Sequence, residues 1–72
     1  MPHSVYKVIE VIGTSTKSWE EAAKMAVELT GEHLRELRVA EVVQQDLVIT
    51  AGGKVEAYRT KLKISFKYEG HG

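Results

Sequence analysis

Arg59, Lys61, Lys63 and Lys67 recur at odd positions of one segment, so a strand would carry them on one face, where they could follow a nucleic-acid backbone. Against that, ten Lys plus Arg balance ten Asp plus Glu, and no aromatic is interleaved on that parity for base stacking. The row reads as a solvated or lumen-facing sheet surface. Gly13-Thr14-Ser15 could offer amides to a phosphate, but one glycine makes a poor cradle, and a turn with capping hydroxyls is the better reading. Trp19 could stack on a ligand, yet its spacing to Ala22, Ala23 and Ala26 places it on the buried stripe of a first helical turn. His33 has no partner at a metal or acid–base spacing, and His3 and His71 lie near the ends. There is no Ser/His/Asp ordering around a nucleophile turn and no cofactor-binding glycine pattern, so the chain is not expected to be an enzyme.

The elements that must position these residues follow from periodicity. Val5 to Ile12, VYKVIEVI, is rich in β-branched residues with only Lys7 and Glu10 interrupting, as in a strand covered on much of both faces. Gly13 to Thr16 breaks the pattern, and Ser18-Trp19-Glu20-Glu21 forms a capping box that opens a helix. Trp19, Ala22, Ala23, Ala26, Leu29, Thr30 and His33 recur at spacings of three and four and are read as its inward stripe, with an end at Gly31 or a loosened turn through Leu34 to Leu37. Arg38 to Thr50 is a second strand in which Val39, Val43, Leu47 and Ile49 share one parity, with a bend or bulge expected near Gln44 to Asp46. Ala51-Gly52-Gly53-Lys54 supplies the positive-φ positions of a hairpin. Tyr58, Thr60, Leu62, Ile64, Phe66 and Tyr68 then alternate with mostly cationic residues in the clearest strand of the chain. The order is β-α-β-β, an α+β fold in a single domain over residues 1–72 with an ordered core expected over about 5–68.

Length limits the rest. A chain of 72 residues, 43% hydrophobic and without cysteine, has neither disulfides nor thiolate metal sites to supplement a small core. Burial against other copies of the chain is the remaining answer, so a homo-oligomer is expected. No apolar run approaches a membrane span, and Met1-Pro2-His3-Ser4 lacks a signal-peptide pattern, so no membrane partner and a cytoplasmic location are expected.

Val5-Tyr6-Lys7-Val8-Ile9-Glu10-Val11-Ile12-Gly13-Thr14-Ser15, Ser18-Trp19 at the helix start, Val39-Ala40-Glu41-Val42, and the closing Ile64-Ser65-Phe66 together resemble the dodecins. The resemblance spans Val5 to Tyr68. It implies a curved three-stranded antiparallel sheet wrapped around one helix, assembled as a hollow homododecamer. It also implies riboflavin-type ligands, stacked in pairs on a tryptophan at the start of the second strand and hydrogen-bonded by a glutamine early in the third. In this register the tryptophan position is Val39 and the glutamine position is Arg59. A valine has no π face, so binding of riboflavin or FMN is expected to be weakened or lost, while Arg59 keeps donors for a carbonyl or phosphate.

Arg38-Val39-Ala40 and Ser18-Trp19 are similar to a dodecin branch that lacks this tryptophan and is associated with calcium. The chain has one Asp and no EF-hand spacing, so a calcium site would gather oxygens from several copies. Glu41 and Asp46 are the candidate carboxylates, with Gln44 and Gln45 as neutral donors; a solvated strand edge or an inter-subunit salt bridge is the competing reading of the two acids. The resulting expectation is a non-enzymatic homododecamer that binds and stores a small ligand or ion, calcium ahead of flavin. The alternatives are flavin storage, a structural shell, or weak single-stranded nucleic-acid binding through the basic face of the third strand.

Overall fold

The computed structural model describes residues 3–67; Tyr68 and His71 lie outside the described residues. Four elements follow one another: β1 (Tyr6–Ser15), α1 (Trp19–Gly31), β2 (Leu37–Ile49) and β3 (Val55–Lys67). Their sheet order is β1-β3-β2 with both ladders antiparallel. The last strand in sequence is thus the central one, where its uninterrupted alternation lets both ladders pair along it.

That alternation divides the sheet into two faces. Thr60, Leu62 and Ile64 of β3 are buried together with Ala22 of α1. Opposite them lie Gly13, Val11 and Ile9 on β1, and Gln45, Val42 and Ala40 on β2. The buried Thr60 hydroxyl is satisfied by donating to the Trp19 carbonyl at 2.9 Å. The other face carries Arg59, Lys61, Lys63 and Ser65 and has no helix over it.

The break expected at Gly13 to Thr16 is corrected, since β1 runs on to Ser15. Gly13 is needed for close packing, because a Cβ there would collide with the Ala22 carbonyl oxygen and stand 2.9 Å from the Ala26 Cβ. Within one protomer β1 is covered on one face only, with Tyr6, Val8 and Ile12 exposed. Ser18 caps α1, its Oγ accepting from the Glu21 amide at 3.0 Å. The Glu21 carboxylate, however, accepts from the Ser15 hydroxyl at 2.6 Å. Ser15 Oγ in turn accepts from the amides of Lys17 at 2.9 Å and Ser18 at 3.4 Å. The capping box therefore includes the last residue of the preceding strand.

Helix α1 ends at Gly31, with Glu32 as its C-cap. Leu29 and His33 do not belong to the inward stripe. Leu29 is 59% exposed and lies beside Met25 in a groove with Ile12, and His33 is exposed in the turn after the helix. The inward face is narrower than the spacing suggested because a single helix covers chiefly β1 and β3. Irregularities in the β2–β3 ladder fall between Leu37 and Val39, Val42 and Gln44, and Val48 and Ile49. The middle one stands just before the bend expected near Gln44 to Asp46. Each extra residue reverses the side-chain alternation, so Val39 pairs with Ser65 on the helix-free side while Leu47 pairs with Tyr58 on the other. The shared parity of Val39, Val43, Leu47 and Ile49 accordingly does not make one face. The hairpin turn closes through Thr50 N–H to Lys54 O at 2.8 Å, and of its two glycines Gly53 takes the positive φ, 83°.

Candidate functional site

The helix-free face is a ladder of opposite charges. The central strand supplies cations and the edge strands supply carboxylates, with Lys63 placed between Glu10 of β1 and Glu41 of β2. Farther along, Arg59 stands opposite Asp46 on β2. The guanidinium grips the carboxylate by two hydrogen bonds, Nε to Oδ1 at 2.7 Å and Nη2 to Oδ2 at 2.9 Å, the planar fork that arginine is suited to form. Lys61 lies 3.5 Å from the Glu10 carboxylate. Arg59, Lys61 and Lys63 of the basic row thus each have an edge-strand carboxylate beside or across from them, while Lys67 stands opposite Tyr6.

Asp46 titrates below its ordinary value of 3.8. The Arg59 hydrogen bonds are the largest cause, partial desolvation opposes them, and the guanidinium charge and a Gln44 hydrogen bond add to the lowering. Reciprocally, the hydrogen bonds to Asp46 raise the Arg59 value, with the carboxylate charge adding and desolvation opposing. Asp46 is also fixed through its backbone, because the Trp19 indole N–H donates to its carbonyl at 3.0 Å. The Trp19 ring meets Tyr58 edge-on, 5.2 Å between centroids at 81°. Trp19 is therefore committed to joining α1 to the hairpin.

Two grooves of about 420 Å³ each are present, a volume within the range of small-ligand sites. The first lies on the α1 side of β1, lined by Ile12, Met25 and Leu29 with Glu28 and Glu32 near them. The second crosses the helix-free face and is lined by Val8, Glu10, Val39, Glu41, Lys63 and Ser65.

The residues singled out from sequence are distributed over this surface. Val39 is 63% exposed and lies in the second groove, together with Glu41. Arg59 is engaged by Asp46. Gln44 joins the same cluster, donating from Nε2 to Asp46 Oδ2 at 3.3 Å. Gln45 pairs with the buried Thr60 and so falls on the opposite side of the sheet. The structure brings Asp46, Gln44 and Arg59 together, sets Glu41 farther along the same face, and separates Gln45 from them. Among the described residues no group of three or more His, Cys, Asp or Glu within the chain is arranged to hold a metal. Glu10 and Lys63 were not anticipated in the groove. The signal was available, because Glu10 shares its parity with the exposed Val8 and Ile12.

The chain is a β-α-β-β unit whose open sheet presents a grooved face with cations of the central strand set against carboxylates of the edge strands. The chain belongs to the dodecin family, whose family model matches residues 5–69. Among curated proteins, the calcium dodecin of Mycobacterium tuberculosis is 50% identical over 64 residues, 89% of this chain and 89% of that protein. A crystal structure of calcium dodecin from the same organism, described as a calcium-chelating immunodominant antigen with a novel calcium-binding site, superposes with a TM-score of 0.82 at 46% identity. It covers 96% of this chain and 97% of its own. The dodecin of Streptomyces coelicolor has a TM-score of 0.89 at 34% identity, covering 99% and 100% respectively.

Proposed function

We propose that the protein is a non-enzymatic, cytoplasmic dodecin that stores calcium ahead of flavin, at sites assembled between copies in a hollow homododecamer. The observation that carries this reading is the exposed Val39 in the groove of the helix-free face. At the position where the resemblance calls for a stacking indole, an aliphatic side chain offers a flavin no π face. The 50% identity to a calcium dodecin supports the choice of ion.

Calcium takes six to eight oxygens, and the donors available on one copy are Asp46 and Gln44, with Glu41 farther along the same face. The remaining ligands would come from neighbouring copies and water. Assembly is supported by the protomer's shape. Its radius of gyration is 15.1 Å, with extents of 57 × 20 × 17 Å, against about 11 Å for a compact chain of this length. Large apolar side chains on β1, α1 and the hairpin, Ile12, Leu29 and Ile49 among them, are more than half exposed; contact with other copies would cover them.

Light scattering coupled to size exclusion is expected to give a dodecamer, and equilibrium dialysis is expected to show saturable calcium uptake. Riboflavin or FMN fluorescence should remain nearly unquenched on titration. A stable monomer at micromolar concentration would overturn the assembly, and strong flavin quenching without calcium uptake would replace the calcium reading by flavin storage. A dodecamer that takes up neither would be a structural shell.

A further inference from the structure

We propose that the β2–β3 hairpin of one copy docks in the α1–β1 groove of a second copy, with Lys54 at the hairpin turn meeting Glu28 and Glu32 on the groove's rim. This rests on the assembly reading above and deepens it by naming the surfaces that meet. The ladder of β1 on β3 ends where Ser15 pairs with Tyr58, whereas β2 and β3 go on to the pair Ile49–Val55. Beyond Ser15 the three-stranded sheet is thus reduced to a two-stranded arm. An isolated two-stranded hairpin is at best marginally stable in water. The outer end of this one also carries apolar side chains, Ile49 and Val55, both more than half exposed.

The groove complements that arm in polarity and in charge. Met25 and Leu29, also more than half exposed, supply apolar lining to its volume of about 420 Å³, and its charged lining residues, Glu28 and Glu32, are both acidic. The turn from Thr50 to Lys54 carries one charge, the cation of Lys54. Among the described residues none of Lys54, Glu28 and Glu32 forms an ion pair within the chain, so all three are open to a partner. Apolar tip against apolar wall removes surface from water, and the opposite charges fix the orientation. The chain's own arm does not reach this groove, because α1 starts beside the hairpin, where Trp19 bonds Asp46, and runs away from it. Arm and groove are different surfaces, so each copy gives one and receives one, and the contact can repeat around a closed ring.

The test is crosslinking, in a chain that has no cysteine of its own. Lys54→Cys and Glu32→Cys are made singly and together, treated with a short bismaleimide, and run on denaturing gels, with circular dichroism to confirm that each folds. The double variant is expected to give a ladder of covalent multimers, and the two single variants refolded together should give dimers. Each single variant by itself should stay at monomer mass. Should Lys54→Cys not fold, Gly52→Cys takes its place, since a side chain there meets only the Thr50 hydroxyl, at 3.9 Å. Separately, Lys54→Glu should raise the concentration at which the assembly dissociates, read by light scattering, about twofold or more, the scale of surface ion pairs. Adding Glu28→Lys and Glu32→Lys to it should bring that concentration back. If the wild-type assembles and the double variant gives no ladder, or a single variant crosslinks as fully as the double, the docking falls while the assembly stands. A ladder without rescue by the charge exchange would overturn the pairing of Lys54 with the two glutamates. A wild-type that stays monomeric would overturn docking and assembly together.

Discussion

The indole N–H of Trp19 donates to the carbonyl of Asp46 across 3.0 Å, joining the first turn of the helix to the β2 residue whose carboxylate is gripped by Arg59. One residue thus connects the packed face of the sheet to the charged face. Tyr58, the immediate neighbour of Arg59 on β3, completes the link by meeting the same indole edge-on.

Replacing Trp19 by Phe keeps an aromatic edge for Tyr58 but leaves the Asp46 carbonyl without its donor. The expected cost is about 1 kcal/mol, a fall in Tm of about 4–8 °C for a domain of this size. Circular-dichroism melts at one fixed protein concentration measure it, since oligomer stability varies with concentration. An unchanged Tm would mean that the hydrogen bond contributes nothing.

Asp46 has a folded-state pKa below the unfolded carboxylate value because Arg59 stabilises its charged form. A depressed acid contributes stability that is fully present above the unfolded pKa, about 3.9, and lost as pH falls through the folded value. The stability gap between wild-type and Asp46→Asn should therefore stay level from pH 7 to about pH 5 and narrow progressively as pH falls below about 4. Urea midpoints measured from pH 7 downward test it, and a gap that does not narrow as pH falls below about 4 would contradict the assignment.

Gly13→Ala should destabilise by about 3 kcal/mol, the upper end of ordinary overpacking costs, because the new methyl group meets the Ala22 carbonyl and the Ala26 Cβ. Thermal melts against wild-type check this. Near-neutrality would show that α1 can move away from β1 at little cost.

Val39→Trp should restore a stacking surface in the groove of the helix-free face, where Val39 is open to solvent. A stacked pair adds about 1 kcal/mol beyond buried area, so riboflavin should bind about fivefold or more tightly than to wild-type, read as fluorescence quenching. Equal quenching by both proteins would mean that residue 39 does not decide flavin affinity.

Several features of the fold were legible because they depend on neighbours along the chain. The alternation from Tyr58 to Phe66 announced β3, Ser18 with Glu21 announced the helix start, and Gly52-Gly53 announced the hairpin. Local reasoning failed where a distant partner intervenes. Gly13 reads as a strand breaker by itself, and only the passage of α1 over it makes it part of β1. Leu29 fits a helical stripe, but the helix covers too little of the sheet to bury it.

Composition and periodicity alone determined a small cysteine-free β-α-β-β chain with one helix for two sheet faces, because side-chain alternation and capping act over a few residues. Only the tertiary structure decided that β3 is central, that its cations stand against edge-strand carboxylates, and that Asp46 is held by Arg59 while Gln45 is turned away. The physical reason is register. A bulge between Val42 and Gln44 reverses which side chains share a face, and that single-residue slip is set by pairing between strands, which no count along one strand contains.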